Sequence, residues 1–528
     1  MKRLGSAVAI GVALLALYVA RLDEIAGLYV DDAYYIVLAQ SVAHGTGYAL
    51  TSSATTPILP SFPPGFALLL APVVAVSPEF PGNVTALKFV SIAAMLGVAW
   101  LTYLYFNRER GMDRARAGTI ATITAVLPGF VFLATSTVMA ECAFTLALVA
   151  AAVAIERAGR DSDRTTRTVI IAAAISAASW LIRSAGLAVV LTGIGYLAWR
   201  RGWRAAAAFV GVCAVCYGPW MLYARAHEPT PEERIAHGGA IVYSYGSLLS
   251  MRYGGDAISG SVGVSGVIAR VAKNVFNVFG RDMGAVLLPA AYRGASESGQ
   301  EVFQLSGESG LMSGSMGLGT PIVVTSTLLS LIVLIGWWAA ASRRIGVAEV
   351  LTVLTIAMVV IVPARTFRYV LPVAPFLVSY FLAGVETVAT RVRGATAAFP
   401  SFRIASASLL VLLLLEHVQY IAQKVAGPAP EWIADGRDVQ AVGEWMNTHL
   451  PAGGGVASTN PALLYLMTGH KTLALVDPVH NWQRWRDSDI RYAVALHVAS
   501  KPGSGLGYQV LYESPRLGLW VLELRQKP

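Results

Sequence analysis

Apolar residues run along the chain in long stretches separated by short polar turns. A bilayer hydrocarbon core of roughly 30 Å takes about 20 apolar residues per helix. Eleven such runs are found, beginning near Leu4, Val84, Ala117, Glu141, Thr168, Gly186, Ala205, Pro321, Gly346, Tyr369 and Ile404. The third and fourth, and the fifth and sixth, follow one another with almost no loop. The pattern predicts a polytopic α-helical membrane protein with about eleven transmembrane helices. Three pieces between or after the runs are larger than turns: 22–83, about 225–320, and 427 to the end. In the first, a helical pattern covers Asp32 to His44, Gly45 to Gly47 break it, and a Thr/Ser/Pro-rich stretch ends at Pro63, Pro64 and Gly65. Phe66 to Val76 is too short to span and is expected to lie along the surface or dip into it. The second piece holds an amphipathic candidate, Val264 to Phe279, and a Gly/Ser-rich stretch, 294–319, that reads either as a lid or as a plain connector. After Pro428 the period changes. Short apolar runs at Gly455–Ser458, Leu473–Val476, Tyr492–Val498, Tyr508–Tyr512 and Leu517–Leu524 alternate with helical segments such as Asp438–Leu450, and Asn460-Pro461 is a helix start. The division expected is a membrane domain, 1–424, and a small α/β domain, 428–528.

Composition agrees with the runs: 55% apolar and 13% charged residues and a mean hydropathy of +0.58 exclude a soluble globular chain of 528 residues. The net charge of +9 raises the question of nucleic acid, and the placement of the basic residues answers it. Lys2 and Arg3, Arg108 to Arg116, Arg157 to Arg167, Arg200 to Arg204, Arg343 with Arg344, and Arg391 to Arg403 fall on alternate loops, whereas 22–83 contains no Lys or Arg. This is the positive-inside pattern of a multi-pass inner-membrane protein. It places the amino terminus in the cytoplasm, and the large loops and carboxyl terminus outside. The first run is read as an uncleaved anchor, because Tyr18 occupies the −3 position of a cut after Ala20, where a signal peptide needs a small residue. Cys142, Cys213 and Cys216 lie within runs, so no disulfide framework is expected outside, and Cys213-x-x-Cys216 reads as packing.

Ionisable residues cluster at the outer ends of the runs. Asp31 and Asp32 follow the first, Glu141 starts the fourth, Arg183 lies between the fifth and sixth, and Arg365 and Arg368 lie between the ninth and tenth. Charge at a span end is expensive unless it has a task. Three acids and three arginines on one side suit a reaction in which a carboxylate activates a hydroxyl or amine while cations hold a phosphate leaving group. Bland readings stand beside this one: the arginines meet lipid headgroups, and Asp31 and Asp32 cap the helix that follows.

"DDAYYIVLAQSVAHGTGY" (Asp31 to Tyr48), followed by "PPGFALLLAP" (Pro63 to Pro72), resembles the first external loop of the GT-C glycosyltransferases, in the protein O-mannosyltransferase and lipid A aminoarabinose transferase branch. "MAE" (Met139 to Glu141) and "RYVLPVAPFL" (Arg368 to Leu377) are similar to further segments of those enzymes. The resemblance covers about 1–424, with the first-loop motif as its specific part. It implies an inverting transfer from a polyprenyl-phosphate sugar to an extracytoplasmic acceptor: lipid, glycan or protein. Asp31 then matches the catalytic aspartate, and Asp32 stands where many members have Glu. The motif's Tyr34, Tyr35 and Tyr48, with His44 as the histidine nearest the acids, are expected to bind substrate. No metal is expected to be required, although a divalent ion between Asp31, Asp32 and a donor phosphate is compatible with other branches. A transporter or flippase of lipid-linked sugars would want ionisable groups at mid-membrane. Glu349 and Glu386 lie near inner ends, and only Glu416 with His417 lies deeper. A ligase or polymerase of lipid-linked glycans shares donor and topology. The carboxyl-terminal domain has no cluster of acids, bases or metal ligands and is expected to seat the acceptor or cap the outer mouth.

Overall fold

In the computed structural model the residues described are 2–160, 165–230, 233–234, 242–253, 256–288, 320–363, 367–393, 400–427, 431–451, 453–475, 485, 490–496, 507–514 and 518–524. The Gly/Ser-rich stretch 294–319 and Arg365 lie outside them.

All eleven apolar runs are helical. They form α1 (Lys2–Arg21), α4 (Val84–Leu104), α5 (Arg114–Ala125) with α6 (Pro128–Thr135), α7 (Glu141–Arg160), α8 (Thr165–Ile182), α9 (Leu187–Arg201), α10 (Trp203–Ala226), α12 (Thr320–Arg343), α13 (Val347–Ile361), α14 (Ala374–Arg393) and α15 (Ser401–Ala426). The first inter-helix piece carries α2 (Val30–Ala43) and α3 (Gly65–Val76), and the second carries an antiparallel strand pair, β1 (Met251–Tyr253) and β2 (Asp256–Ser261), and α11 (Val264–Asn277), at the place of the amphipathic pattern. Among the described residues, six helices are long and apolar enough to cross a membrane, or up to seven when α5 and α6, bent by 50°, count as one. The bend falls where Pro128 opens α6, since proline lacks the N–H that would continue α5. The other runs are short. Helices α8, α9 and α13 have 18, 15 and 15 residues, about 27, 22 and 22 Å at 1.5 Å per residue, which is less than a full hydrocarbon core. The chain is a multi-pass membrane protein, and its lipid-facing character shows in exposed Val12, Val215, Leu222 and Trp338. Exposed Trp199 and Trp203 flank the Arg-rich α9–α10 turn, as in an interfacial aromatic belt.

Small residues let the helices touch. A Cβ on Gly336 of α12 would stand 1.8 Å from the Tyr380 carbonyl, and one on Gly384 of α14 would stand 2.0 Å from the Ile332 carbonyl, so these two helices cross backbone to backbone. At the end of α7 remote from Glu141, buried Glu156 accepts from Arg344 (2.8 Å), Tyr196 (2.9 Å) and the Val347 N–H (2.8 Å). Glu109 there pairs with Arg157 at 2.7 Å, and Glu349 with Arg110 at 2.9 Å.

The carboxyl-terminal part is a five-stranded mixed sheet of order β4-β3-β5-β7-β6, where β3 is Gly455–Ser458, β4 Thr472–Ala474, β5 Ile490–Ala495, β6 Tyr508–Ser514 and β7 Leu519–Leu524. Strand β3 is parallel to β4 and β5, while β7 is antiparallel to β5 and β6. Helices α16 (Glu431–His449) and α17 (Pro461–Thr468) accompany the sheet. Each strand overlaps an expected apolar run. The unit sits on the first inter-helix piece: the Thr472 N–H donates to the Ser52 carbonyl at 2.8 Å and Lys471 Nζ to the Thr51 carbonyl at 2.6 Å.

Candidate active site

Helix α2 begins at Val30, so Asp31 and Asp32 fall in its first turn, where the helix dipole favours carboxylates. Successive residues of a helix face different ways, and the pair is divided accordingly. The Asp31 side chain is 31% exposed. Asp32 is fully buried; its Oδ2 accepts the Gly27 N–H at 2.8 Å and its Oδ1 the Ala33 N–H at 3.0 Å. Burial pushes its carboxyl up to about 7; the Gly27 N–H works against the rise and the neighbouring Asp31 adds to it.

Arg368 belongs to the short helix Phe367–Val370 that leads into α14. Its Nη2 lies 2.7 Å from Asp31 Oδ2, and its Nε lies 3.0 Å from Glu141 Oε1. Glu141 is completely buried at the start of α7, and its Oε1 also meets Arg183 Nη1 at 2.5 Å. Arg183 occupies the extended turn between α8 and α9. Burial disfavours its charged form, and the Glu141 carboxylate together with Tyr35 and Tyr369 outweighs this, so the guanidinium stays protonated. Four segments thus deliver one continuous chain of charge, Asp31–Arg368–Glu141–Arg183. Aromatic rings bound it: Arg368 lies 5.1 Å over Tyr29 and 5.5 Å over Tyr369, and Arg183 lies 5.2 Å over Tyr369.

Tyr34, Tyr35 and Tyr48 are buried behind this chain. The Tyr35 ring packs 5.0 Å from both Phe62 and Phe66, and burial raises its phenol well above the ordinary range. Tyr48 donates to the Phe62 carbonyl at 2.7 Å and meets Trp220 edge-on at 5.2 Å. These three therefore fix the loop around α2. His44 is not brought to the acids. It ends α2, exposed, thirteen residues beyond Asp31 or roughly 20 Å along a helix rising 1.5 Å per residue.

Two features escaped the sequence reading. Tyr29 is one, against Arg368. The other is a buried pair beneath the loop: Lys88 Nζ lies 2.7 Å from both Asp23 Oδ1 and the Asp23 carbonyl, while Asp23 also accepts from Ser136 Oγ at 2.6 Å and the Ile25 N–H at 3.0 Å. The signal was present, since Lys88 is the lone charge in the run of α4, and an ionisable group inside an apolar span has a partner. Among the described residues no group of three or more His, Cys, Asp or Glu is arranged to hold a metal ion. The oxygens of Asp32 are both taken by N–H donors, and Asp31 faces Arg368.

No protein-family model matches the chain, and no curated protein matches it in sequence. Solved structures do match in shape. ArnT from Cupriavidus metallidurans bound to undecaprenyl phosphate superposes with a TM-score of 0.56 at 12% identity, over 99% of this chain and 98% of that one. The oligosaccharyltransferase AglB from Archaeoglobus fulgidus, in complex with an inhibitory peptide and a dolichol-phosphate, gives 0.52 at 15% identity over 93% and 69%. A second structure of the Archaeoglobus fulgidus oligosaccharyltransferase, with zinc and sulfate, gives 0.56 at 16% identity over 92% and 68%. The chain therefore has the fold of the GT-C glycosyltransferases.

Proposed function

We propose that the protein is an inverting glycosyltransferase that moves a sugar from a polyprenyl-phosphate donor to an acceptor hydroxyl or amine on the far side of a bacterial inner membrane. The observation that carries this reading is the contact of Asp31, the open acid of the first loop, with Arg368, a nearly buried cation joined through Glu141 to Arg183. Asp31 takes the acceptor proton as the acceptor oxygen or nitrogen attacks the anomeric carbon. The bond from that carbon to the phosphate oxygen breaks, and the electron pair leaves on the lipid phosphate. Arg368 and Arg183 hold the charge that develops there, where fork-shaped guanidinium donors suit a phosphate better than an ammonium. Arg365, three residues before Arg368, is assigned the same task. Tyr34, Tyr35 and Tyr48 hold the first-loop segment that presents the acids to substrate. Glu141 spaces the two arginines and keeps their charge from being mutually repulsive.

The structures of ArnT with undecaprenyl phosphate and of AglB with a dolichol-phosphate support a lipid-phosphate donor for this fold. The alternation of basic loops supports eleven crossings, a cytoplasmic amino terminus, and a periplasmic site and carboxyl-terminal unit. Domains at 1–424 and 428–528 follow the change from spanning helices to mixed sheet. A transport pathway gains no support, because Glu349 pairs with Arg110, Glu386 with Arg116, and His417 Nε2 engages the Val126 carbonyl at 2.9 Å. The reaction needs no metal in this reading, since arginines supply the cationic groups. The test is to reconstitute the purified protein with a panel of undecaprenyl-phosphate sugars and a membrane extract as acceptor source, and to measure release of undecaprenyl phosphate. Release with the native protein and none with Asp31→Asn supports the proposal, and no release with any donor counts against it.

A further inference from the structure

The segment between α1 and α2, 22–29, presents Asp32 with its backbone donor and is gripped from two sides. Below, the Lys88–Asp23 pair ties it to α4, and the Asp23 N–H donates to the Thr135 carbonyl at 3.2 Å. Above lies the carboxyl-terminal unit, whose Asn460 is 433 positions from Gly27 in sequence. Asn460 Nδ2 donates to the Gly27 carbonyl at 2.9 Å, and the Gly27 N–H in turn donates to Asp32 Oδ2 at 2.8 Å. Gly27 has φ +87°, a conformation that favours glycine, and a Cβ there would stand 2.3 Å from Leu463 Cδ2. Likewise a Cβ on Gly436 of α16 would stand 2.5 Å from Ile25 Cγ2. The N–H and C=O of Gly27 belong to successive peptide planes related by its own dihedrals. Holding the carbonyl and the packing at Leu463 therefore sets where the N–H points.

We infer that Asn460 is a positioning residue, whose amide fixes Gly27 so that its N–H stays on Asp32, and that the first-loop acid pair is held in register only while the carboxyl-terminal unit is docked. This rests on the reading of Asp31 and Asp32 as the working acids. It gives the unit a part in the chemistry of the membrane domain besides seating an acceptor. Asn460 also caps α17 through Oδ1, which accepts from the Leu463 N–H, so a useful variant must keep that function. Asn460→Asp does: aspartate caps helices as well as asparagine, but it has no N–H for Gly27. Asn460→Ser also caps and is too short to reach Gly27.

The test uses the full-length protein in nanodiscs with the undecaprenyl-phosphate sugar that the native protein turns over. In both variants kcat per folded molecule is expected to fall about tenfold to a hundredfold, the loss typical of a displaced working group, with donor KM changed by less than about twofold. Hydrogen–deuterium exchange is expected to speed up in peptides covering 22–30 and to stay unchanged in those covering 461–468. Turnover within about twofold of the native protein in both variants overturns the inference. Faster exchange across 461–468 accompanying the loss overturns it too, by showing that Asn460 acts as a cap alone. Asp31→Asn run in parallel separates the two claims. An inactive Asp31→Asn beside a fully active Asn460→Asp removes only the positioning role, whereas an active Asp31→Asn removes the reading beneath it.

Discussion

Arg368 Nη2 lies 2.7 Å from Asp31 Oδ2 across 337 positions of sequence, and the same guanidinium reaches Glu141 through Nε. One side chain thus joins an acid that is open to substrate to one that is sealed. A lysine carries the charge but cannot bridge two carboxylates with a planar fork. Arg368→Lys is expected to raise the donor KM and lower kcat/KM by about tenfold to a hundredfold, the worth of a lost charge-assisted hydrogen bond. Steady-state kinetics against donor concentration reads this, and an unchanged donor KM would assign Arg368 to structure alone.

Asp32 makes stability depend on pH in an unusual direction. Its carboxyl rises from 3.8 to about 7 on folding, chiefly through burial. Between those values the folded chain holds a proton that the unfolded chain has released, so stability falls as pH rises through this window and is fully present only below it. The span corresponds to on the order of 4 kcal/mol. Asp32→Asn removes the titration. The melting temperature of the variant, relative to the native protein, should climb from pH 4 to pH 7, and a constant difference would contradict the assignment.

Lys88 and Asp23 are both buried. Removing one partner strands the other, at a cost of about 3–5 kcal/mol. Lys88→Met is expected to lower the melting temperature sharply, and Lys88→Met combined with Asp23→Asn to recover much of the loss. Thermal melts of the single and double variants decide the point.

Arg368 and Arg183 provide the cationic charge near Asp31, and both oxygens of Asp32 accept backbone N–H groups. Transfer is therefore expected to proceed unchanged after dialysis against a chelator. A loss restored by a divalent ion would show that a metal takes part.

Much of this was legible in the sequence where burial speaks through composition. The apolar runs all became helices, the five short runs after Pro428 each met a strand, and Gly45 and Gly47 do adopt positive φ at the end of α2. Asp31, Glu141, Arg183 and Arg368 could be grouped because alternate loops must lie on one side of a membrane. Partners were not legible. Nothing in the run around Lys88 names Asp23, and the tie from Asn460 ends on a backbone carbonyl, which every residue has. The count of crossings was limited in the same way: hydropathy marks a run, whereas the 50° angle between α5 and α6 and the 15-residue lengths of α9 and α13 are read only from the folded chain. His44 was placed near the acids because it shares their helix, but fourteen residues of helix carry its two ends apart.

The most direct test of the central claim is single-turnover transfer by Asp31→Asn in nanodiscs, with donor binding measured on the same preparation. The account predicts that transfer falls by roughly 10²–10⁴-fold, the contribution of a positioned general base, while the melting temperature and the affinity for undecaprenyl phosphate stay close to native. Transfer retained at the native rate would contradict it.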